Sequence, residues 1–272
     1  MSTALYVVDA FTSVPFEGNP AGVCLPPTPP GTDWMAAVAA EVNLSETAFC
    51  WAEEGGWRLR WFTPTVEVPL CGHATLATAW VLWHEGRAPA GLPIAFQTLS
   101  GELTATSVDN RIELDFPAQT ATPLDRQRTA QAASALGVAV VGAVASDRQV
   151  LAEVRTEDEV RGAHPDPAAI GRLGGVGTIL TAASSRPGTD YVLRYFAPNA
   201  GIDEDPVTGS AQCLAGPYWA RRTGRRQFVA RQLSRRGGSL YVGVGSDRVT
   251  IAGQAVMVFS GALQPPASGP RN

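Results

Sequence analysis

The 272-residue sequence predicts an α+β protein of two similar, pseudo-symmetric domains, each a β-barrel-like sheet wrapped around a central helix. A repeated segment carries this prediction, because Trp57-x-Leu59-Arg60-Trp61-Phe62-x-Pro64 returns as Tyr191-x-Leu193-Arg194-Tyr195-Phe196-x-Pro198. The copies are 134 residues apart up to the proline and 137 apart from Gly72 and Gly209 onward, so one three-residue insertion aligns them. Two unrelated amphipathic strands would not keep one register for so long, which indicates a duplication.

The second observation is a helix predicted over Gly72–His84, which is apolar around nearly its whole circumference. Only Thr75 and Thr78 interrupt its apolar surface before Trp83. A helix of this kind is buried on all sides. Short strands predicted after it favour a sheet wrapped around the helix, and a second central helix is predicted over residues 209–221.

The first half contains alternating elements that fit this scheme. The patterns predict a helix after the N-cap candidate Thr32, a proline- and glycine-rich loop at 15–20, and strands at 5–9, 47–51, 57–62, 94–98, 102–107 and 111–116. Residues 117–123 form the best linker candidate. The N-terminal domain is therefore predicted over residues 1–118.

The second half repeats the scheme with variations. It predicts a helix at 126–136, a proline-broken helical region at 157–173, and strands at 138–144, 150–154, 178–182, 191–196, 240–244 and 248–251. A run of arginines between Arg221 and Arg236 is interpreted mainly as a solvated face. The strand at 256–263 could complete either domain. The C-terminal domain is assigned to residues 124–263, and 264–272 to a flexible tail.

Composition restricts the class of protein. Hydrophobic residues make up 45% of the chain, charged residues 17%, and the net charge is −4, which gives no reason to expect nucleic-acid or membrane binding. Neither a signal peptide nor a membrane span is visible. The four cysteines show no metal-like spacing with the three histidines, so we expect free thiols in a reducing cytoplasm.

The duplicated glycines mark the candidate binding site. Gly72, after Cys71, and Gly209, after Thr208, each stand where a buried helix is predicted to start. The first amides of a helix have no internal partner, and the helix dipole favours negative charge there. Two such helix starts facing one cleft would suit a carboxylate or a developing enolate. A single glycine would more simply allow tight entry into a crowded barrel, but the repetition favours binding.

Polar residues near these helix starts have ordinary interpretations as well. From composition alone, Glu46 is a solvated charge at a helix end, and Asp205 is an N-cap-like residue. His73 could be a core histidine, although a position at the opening of a helix would put its ring at a mouth. Cys71 is either a small buried hydrophobe or a thiol whose pKa the helix start lowers.

Six segments in fixed order carry a family resemblance. They are Val8–Thr12, Gly18–Ala21, Asn43–Thr47, Leu59–Pro64, Leu70–Thr75 and Glu204–Ala211. With these segments the chain resembles the phenazine-biosynthesis isomerase (PhzF-like) family over essentially its whole length. The resemblance implies the fold of diaminopimelate epimerase, an active site between the two domains, metal-free and cofactor-free isomerase chemistry, and a homodimer.

The resemblance also assigns roles to residues of this chain. Glu46 resembles the family's acid/base glutamate. The catalytic residues implied are Glu46, His73 and Asp205, and the substrate-binding residues are Asn19, Gly72, Gly209 and Ser210. Pro69 and Gln212 depart from the residues common at these positions, which puts the substrate in doubt more than the chemistry.

The sequence therefore predicts an isomerase that moves a proton on a small carboxylate metabolite, shifting a double bond or inverting a centre. One rival is a two-base amino-acid epimerase on the same scaffold, which would depend on Cys71. The paired cysteines of related epimerases are not reproduced, since Asp205-Pro206 occupies the second motif. The other rival is a non-catalytic paralogue that binds a small molecule in the same cleft.

Overall fold

A computed structural model provides the structure and describes residues 2–264. The first half of the chain forms β1 (Thr3–Ala10), β2 (Asn19–Leu25), α1 (Thr32–Val42), β3 (Glu46–Glu53), β4 (Gly56–Phe62), β5 (Glu67–Val68), α2 (Gly72–His84), β6 (Ile94–Thr98), β7 (Gly101–Val108) and β8 (Arg111–Pro117). The second half forms β9 (Thr122–Pro123), α3 (Arg126–Leu136), β10 (Gly142–Ala145), β11 (Gln149–Glu153), α4 (Glu157–Arg161), α5 (Pro167–Arg172), β12 (Gly177–Ala183), β13 (Tyr191–Ala197), β14 (Ile202–Asp205), α6 (Gln212–Thr223), β15 (Gln227–Gln232), β16 (Gly238–Val244), β17 (Arg248–Gly253) and β18 (Ala255–Leu263).

The chain divides into two compact units. Unit 1 contains residues 2–16, 20–112 and 254 onward, and unit 2 contains residues 17–19 and 113–253. The last strand, β18, belongs to unit 1 because it pairs antiparallel with β1 along its length. This division differs from the predicted one, which ended the first domain at residue 118 and gave the last strand to the second. Of the predicted tail, all but Gln264 lies outside the described residues.

Unit 1 is built from a short series of strand pairings. β2 and β3 are parallel, β3 and β4 antiparallel, β4 and β6 parallel, and β6 and β7 antiparallel. The short strand β5 adds to β4, and β1 pairs with β18. The central helix α2 packs on β1, β3, β7 and β18. Strands from both ends of the unit's sequence therefore surround α2.

Unit 2 repeats this series, which agrees with a duplication. β11 and β12 are parallel, β12 and β13 antiparallel, β13 and β15 parallel, and β15 and β16 antiparallel, with the short β14 added to β13. The register is shared as well. Trp57 pairs with Phe96 in unit 1, and Tyr191 pairs with Ala230 in unit 2, and both partners are displaced by the same 134 residues.

One ion pair has also been kept in both copies. Arg60 makes two bonds of 2.7 Å to Glu67, and Arg194 makes bonds of 2.7 and 2.8 Å to Glu204. A planar guanidinium matches a carboxylate in this two-bond geometry, which fixes orientation as well as distance. Each pair joins the long strand of its unit to the segment before the central helix. The pairs therefore set where that segment leaves the sheet.

The central helices agree with the prediction unequally. α2 has the predicted bounds, and His73 to Ala79, Val81 and Leu82 are buried. α6 begins at Gln212, so the predicted start at Gly209 is wrong. Residues 209–211 form a turn instead, in which the amide of Gln212 donates to the carbonyl of Gly209 at 2.9 Å.

Three smaller predictions fail for local reasons. Thr32 is the first residue of α1, and the N-cap is Gly31, whose backbone is extended. β15 lies in the arginine run that was interpreted as a solvated face, because its residues alternate between buried Phe228, Ala230 and Gln232 and more exposed neighbours. Residues 138–141 precede β10 without forming a strand. Among residues 2–264, no helix is long and apolar enough to cross a membrane.

Burial of α2 predicts the cost of truncating it. Leu82 is fully buried, whereas Leu92, in the loop after the helix, is 59% exposed. Leu82→Ala should lower the free energy of unfolding by about 2–5 kcal/mol, because it removes buried methyl groups and leaves a cavity. Leu92→Ala, the matched control, should change it by less than about 0.5 kcal/mol. Urea unfolding of both variants measures the difference, and equal effects would contradict the buried position of α2.

Candidate active site

Unit 1 brings a carboxyl group and an imidazole together at the start of α2. Glu46 is the first residue of β3, and His73 is the second residue of α2. β3 packs against α2, so the two side chains meet, with Glu46 Oε2 3.4 Å from His73 Nε2. The interpretation of Glu46 as a solvated charge is therefore wrong.

Two further side chains surround this pair. The Ser45 hydroxyl oxygen lies 3.5 Å from Nε2 of His73, the nitrogen that also faces Glu46. The Cys71 sulfur lies 3.5 Å from the other ring nitrogen, Nδ1. The imidazole thus stands between a carboxyl group and a thiol. Its tautomer decides which nitrogen donates and which accepts.

Burial changes the acidity of the carboxyl group. The side chain of Glu46 is 16% exposed and that of His73 is 8% exposed. Removal from water raises the pKa of Glu46 above its ordinary value, while hydrogen bonds with Ser45 and Cys71 oppose part of the rise. A carboxyl group with a raised pKa can both accept and return a proton closer to neutral pH.

The same three groups could also hold a metal ion. One ligand atom each from Glu46, Cys71 and His73 lies within 4.8 Å of the others. Carboxylate, thiolate and imidazole are all zinc ligands, so the donor set fits that metal. The sequence spacing did not reveal this group, because Glu46 joins Cys71 and His73 only through the fold.

Unit 2 holds the other predicted catalytic residue in a separate network. Asp205 ends β14, and its Oδ1 accepts a bond of 3.1 Å from the amide of Asn19. The hydroxyl of Thr208 donates to Oδ2 of the same carboxylate. Asn19 is fully buried and also donates to the carbonyl of Val207 at 2.8 Å. Each carboxylate oxygen therefore has a donor, which fixes the orientation of Asp205.

The segment after Asp205 is held by a buried glutamine from β15. Gln232 accepts from the amide of Thr208 at 2.9 Å and donates to the carbonyl of Asp205 at 2.7 Å. Farther along the segment, Gly209 is buried and Ser210 is exposed. Gln232 carries no local signal that sequence reasoning could have used, because it comes from a strand that was not predicted.

The structure thus divides the predicted residues into two groups. Unit 1 contains Glu46, Gly72 and His73, and unit 2 contains Asn19, Asp205, Gly209 and Ser210. Ser45, Cys71, Thr208 and Gln232 complete these networks.

The two departures from the family pattern lie in different surroundings. Gln212 is fully buried and accepts from the hydroxyl of Tyr191 at 2.6 Å. Pro69 is exposed, and its carbonyl accepts from Ser100.

The raised pKa of Glu46 has a consequence for stability. A carboxyl group whose pKa is raised on folding stabilises the fold below its unfolded pKa, near 4.5, and that contribution is lost as pH rises through the folded value. Glu46→Gln should therefore become increasingly more stable than the wild type as pH rises above about 4.5. Urea unfolding from pH 4 to pH 8 measures this, with the exposed Glu54→Gln as control. A difference that is flat, or that shrinks with rising pH, would contradict the raised pKa.

Comparison with known proteins agrees with the resemblance seen in the sequence. Residues 8–261 match the family described as phenazine biosynthesis-like protein. A relative named an uncharacterized isomerase, from Pseudomonas aeruginosa, is 45% identical over 264 residues, covering 97% of this chain and 99% of that protein. Another of that description, from Halalkalibacterium halodurans, is 42% identical over 263 residues, with the same two shares covered. A crystal structure of a PhzF family protein from Enterococcus faecalis has a TM-score of 0.90 and 38% identity, covering 97% of this chain and all of that one. The chain therefore belongs to the phenazine biosynthesis-like (PhzF) family.

Proposed function

We propose that the protein is an isomerase that moves a proton on a small carboxylate metabolite without a cofactor. One observation carries this proposal: the buried carboxyl group of Glu46 lies 3.4 Å from the imidazole of His73. A carbon acid gives up its proton reluctantly, so an isomerase needs a base at the carbon and a donor where the negative charge forms. Glu46 and His73 are such a pair.

The proton is conserved in this reaction. The Glu46 carboxylate takes a proton from a substrate carbon and becomes a neutral acid, and the electron pair left behind is delocalised into the substrate. The same acid then returns the proton to another carbon, which shifts a double bond. His73 donates a hydrogen bond to the oxygen on which charge accumulates. The raised pKa of Glu46 suits a group that must act in both directions.

Binding of the substrate requires donors for its carboxylate. The first amides of α2, which begins at Gly72, are candidates, because a helix start favours an anion. The participation of Asn19, Asp205, Gly209 and Ser210 in the same substrate site, between the two domains, stays a prediction. A homodimer, a cytoplasmic location and catalysis without metal also stay predictions.

A two-base epimerase is the second candidate, and the position of Cys71 favours it. The thiol lies on the opposite side of the His73 ring from Glu46, since the two contact different ring nitrogens. One group would remove a proton from a stereocentre and the other would deliver a proton to the opposite face. Asp205 holds the corresponding position in the second motif, so Glu46 and Cys71 would have to be the two bases.

Exchange with solvent tests the role of Glu46. Glu46→Gln keeps the size of the side chain but removes the proton acceptor, so turnover should fall by about 10²–10⁴-fold. In D₂O the wild type should place deuterium on the substrate or product carbon, and the variant should not. Substrates come from a panel of unsaturated and amino carboxylates screened by NMR.

The exposed Glu54→Gln is the control and should exchange deuterium at the wild-type rate. Near-normal exchange by Glu46→Gln on a compound that the wild type turns over would remove Glu46 from the mechanism.

Replacement of the thiol separates the two candidate functions. Cys71→Ser keeps a small polar group but removes the acidic thiol. A double-bond isomerase that depends on Glu46 should retain turnover within about tenfold, whereas a two-base epimerase should lose about 10²-fold or more. Product stereochemistry, measured by chiral chromatography, is the second readout. Full loss of activity together with inverted product from the wild type would favour the epimerase.

A further inference from the structure

Unit 1 contains a second concave site at the opposite end of α2 from His73. A cavity of about 440 Å³ opens there, beside Trp80, Trp83 and His84 of the last turns of the helix. Trp83 is ten residues beyond His73, which places the two about 15 Å apart along the helix axis. Cavities of this size hold small-molecule ligands in many proteins.

Aromatic rings form one wall of this cavity. The indole of Trp80 and the imidazole of His84 are stacked, with ring centroids 4.5 Å apart and planes within 13°. Trp83 adds a third ring, and its indole nitrogen is buried without a hydrogen-bond partner among the described residues. Stacked rings present flat π surfaces, which favour a flat ligand.

The facing wall contributes charge and hydrogen-bonding groups. Arg111, at the start of β8, brings a permanent positive charge, and Asn110 and Gln254 bring side-chain amides. Among the described residues that line the cavity, none is an aspartate or a glutamate. The lining therefore favours an anion. A single guanidinium matches one carboxylate, whereas a di- or triphosphate would need several cations.

We infer that this cavity, which we call the Trp80–Arg111 pocket, binds a planar aromatic monocarboxylate at a site distinct from Glu46 and His73. The ring system lies against the indoles of Trp80 and Trp83, and the carboxylate pairs with the guanidinium of Arg111. The pocket and the candidate active site share α2, whose two ends they occupy. The inference does not depend on the proposed isomerase activity.

Matched ligands test the charge and the shape requirements. Indole-3-carboxylate is the probe, indole-3-carboxamide is its neutral counterpart, and cyclohexanecarboxylate is an anion without a flat ring. Binding to the full chain is followed by calorimetry and by tryptophan fluorescence. The probe should bind, and each of the other two should bind at least about tenfold more weakly, since each lacks one of the two interactions.

Variants locate the binding. Arg111→Gln should weaken the probe by about tenfold or more, whereas Arg126→Gln, an exposed arginine on α3, should leave its affinity within about twofold. Glu46→Gln should bind the probe as the wild type does. Circular dichroism confirms that each variant is folded.

Three results would overturn the inference. The first is equal affinity for carboxylate and carboxamide, and the second is the absence of binding at millimolar probe. The third is binding that survives Arg111→Gln but is lost in Glu46→Gln, which would place the probe at the candidate active site. If Arg111→Gln does not fold, the ligand series decides alone.

Discussion

The structure depends on keeping one carboxyl group away from water at the first turn of a buried helix. Glu46 lies in that position because β3, which it begins, packs directly on α2. α2 can be surrounded by strands because almost every side chain from His73 to Leu82 is buried and apolar or small. A polar residue in the middle of this helix would disturb the sheet around it, and with it the distance between Glu46 and His73. Packing of the core and acidity of the site are thus the same constraint.

The duplication shows which parts of the scaffold are structural. Both units keep the strand series, the register and the two-bond Arg–Glu pair, so these features serve the fold. The units differ at the entry to their central helices. Unit 1 enters α2 directly at Gly72, beside a thiol and an imidazole, whereas unit 2 has a turn before α6 and a carboxylate fixed by Asn19 and Thr208. Divergence at the helix entries, on a conserved frame, is what we expect when chemistry is placed on an existing fold.

The sequence predicts most of what depends on local pattern. The bounds of α2 follow from an unbroken apolar helix, and the fold class follows from the repeat. The start of α6 was misplaced because Gly209 and Ser210 fit a helix start as well as they fit a turn. The contact between Glu46 and His73 is 27 residues apart in sequence, and the support of Thr208 by Gln232 spans 24. Such contacts are set by strand pairing, which no local pattern records, so the motif resemblance was the only signal for Glu46.

The most direct test of the account is the titration of Glu46 itself. The chain is labelled with ¹³C at the side-chain carboxyl of glutamate, and the signal absent from Glu46→Gln identifies the residue. Its chemical shift is then followed from pH 3 to pH 9 by NMR. The account predicts a midpoint above 4.5, the ordinary value for this group, because the carboxyl group is buried beside His73. A midpoint at or below 4.5 would show that Glu46 is an ordinary solvated carboxylate, and it would contradict the role of Glu46 as the group that carries the proton.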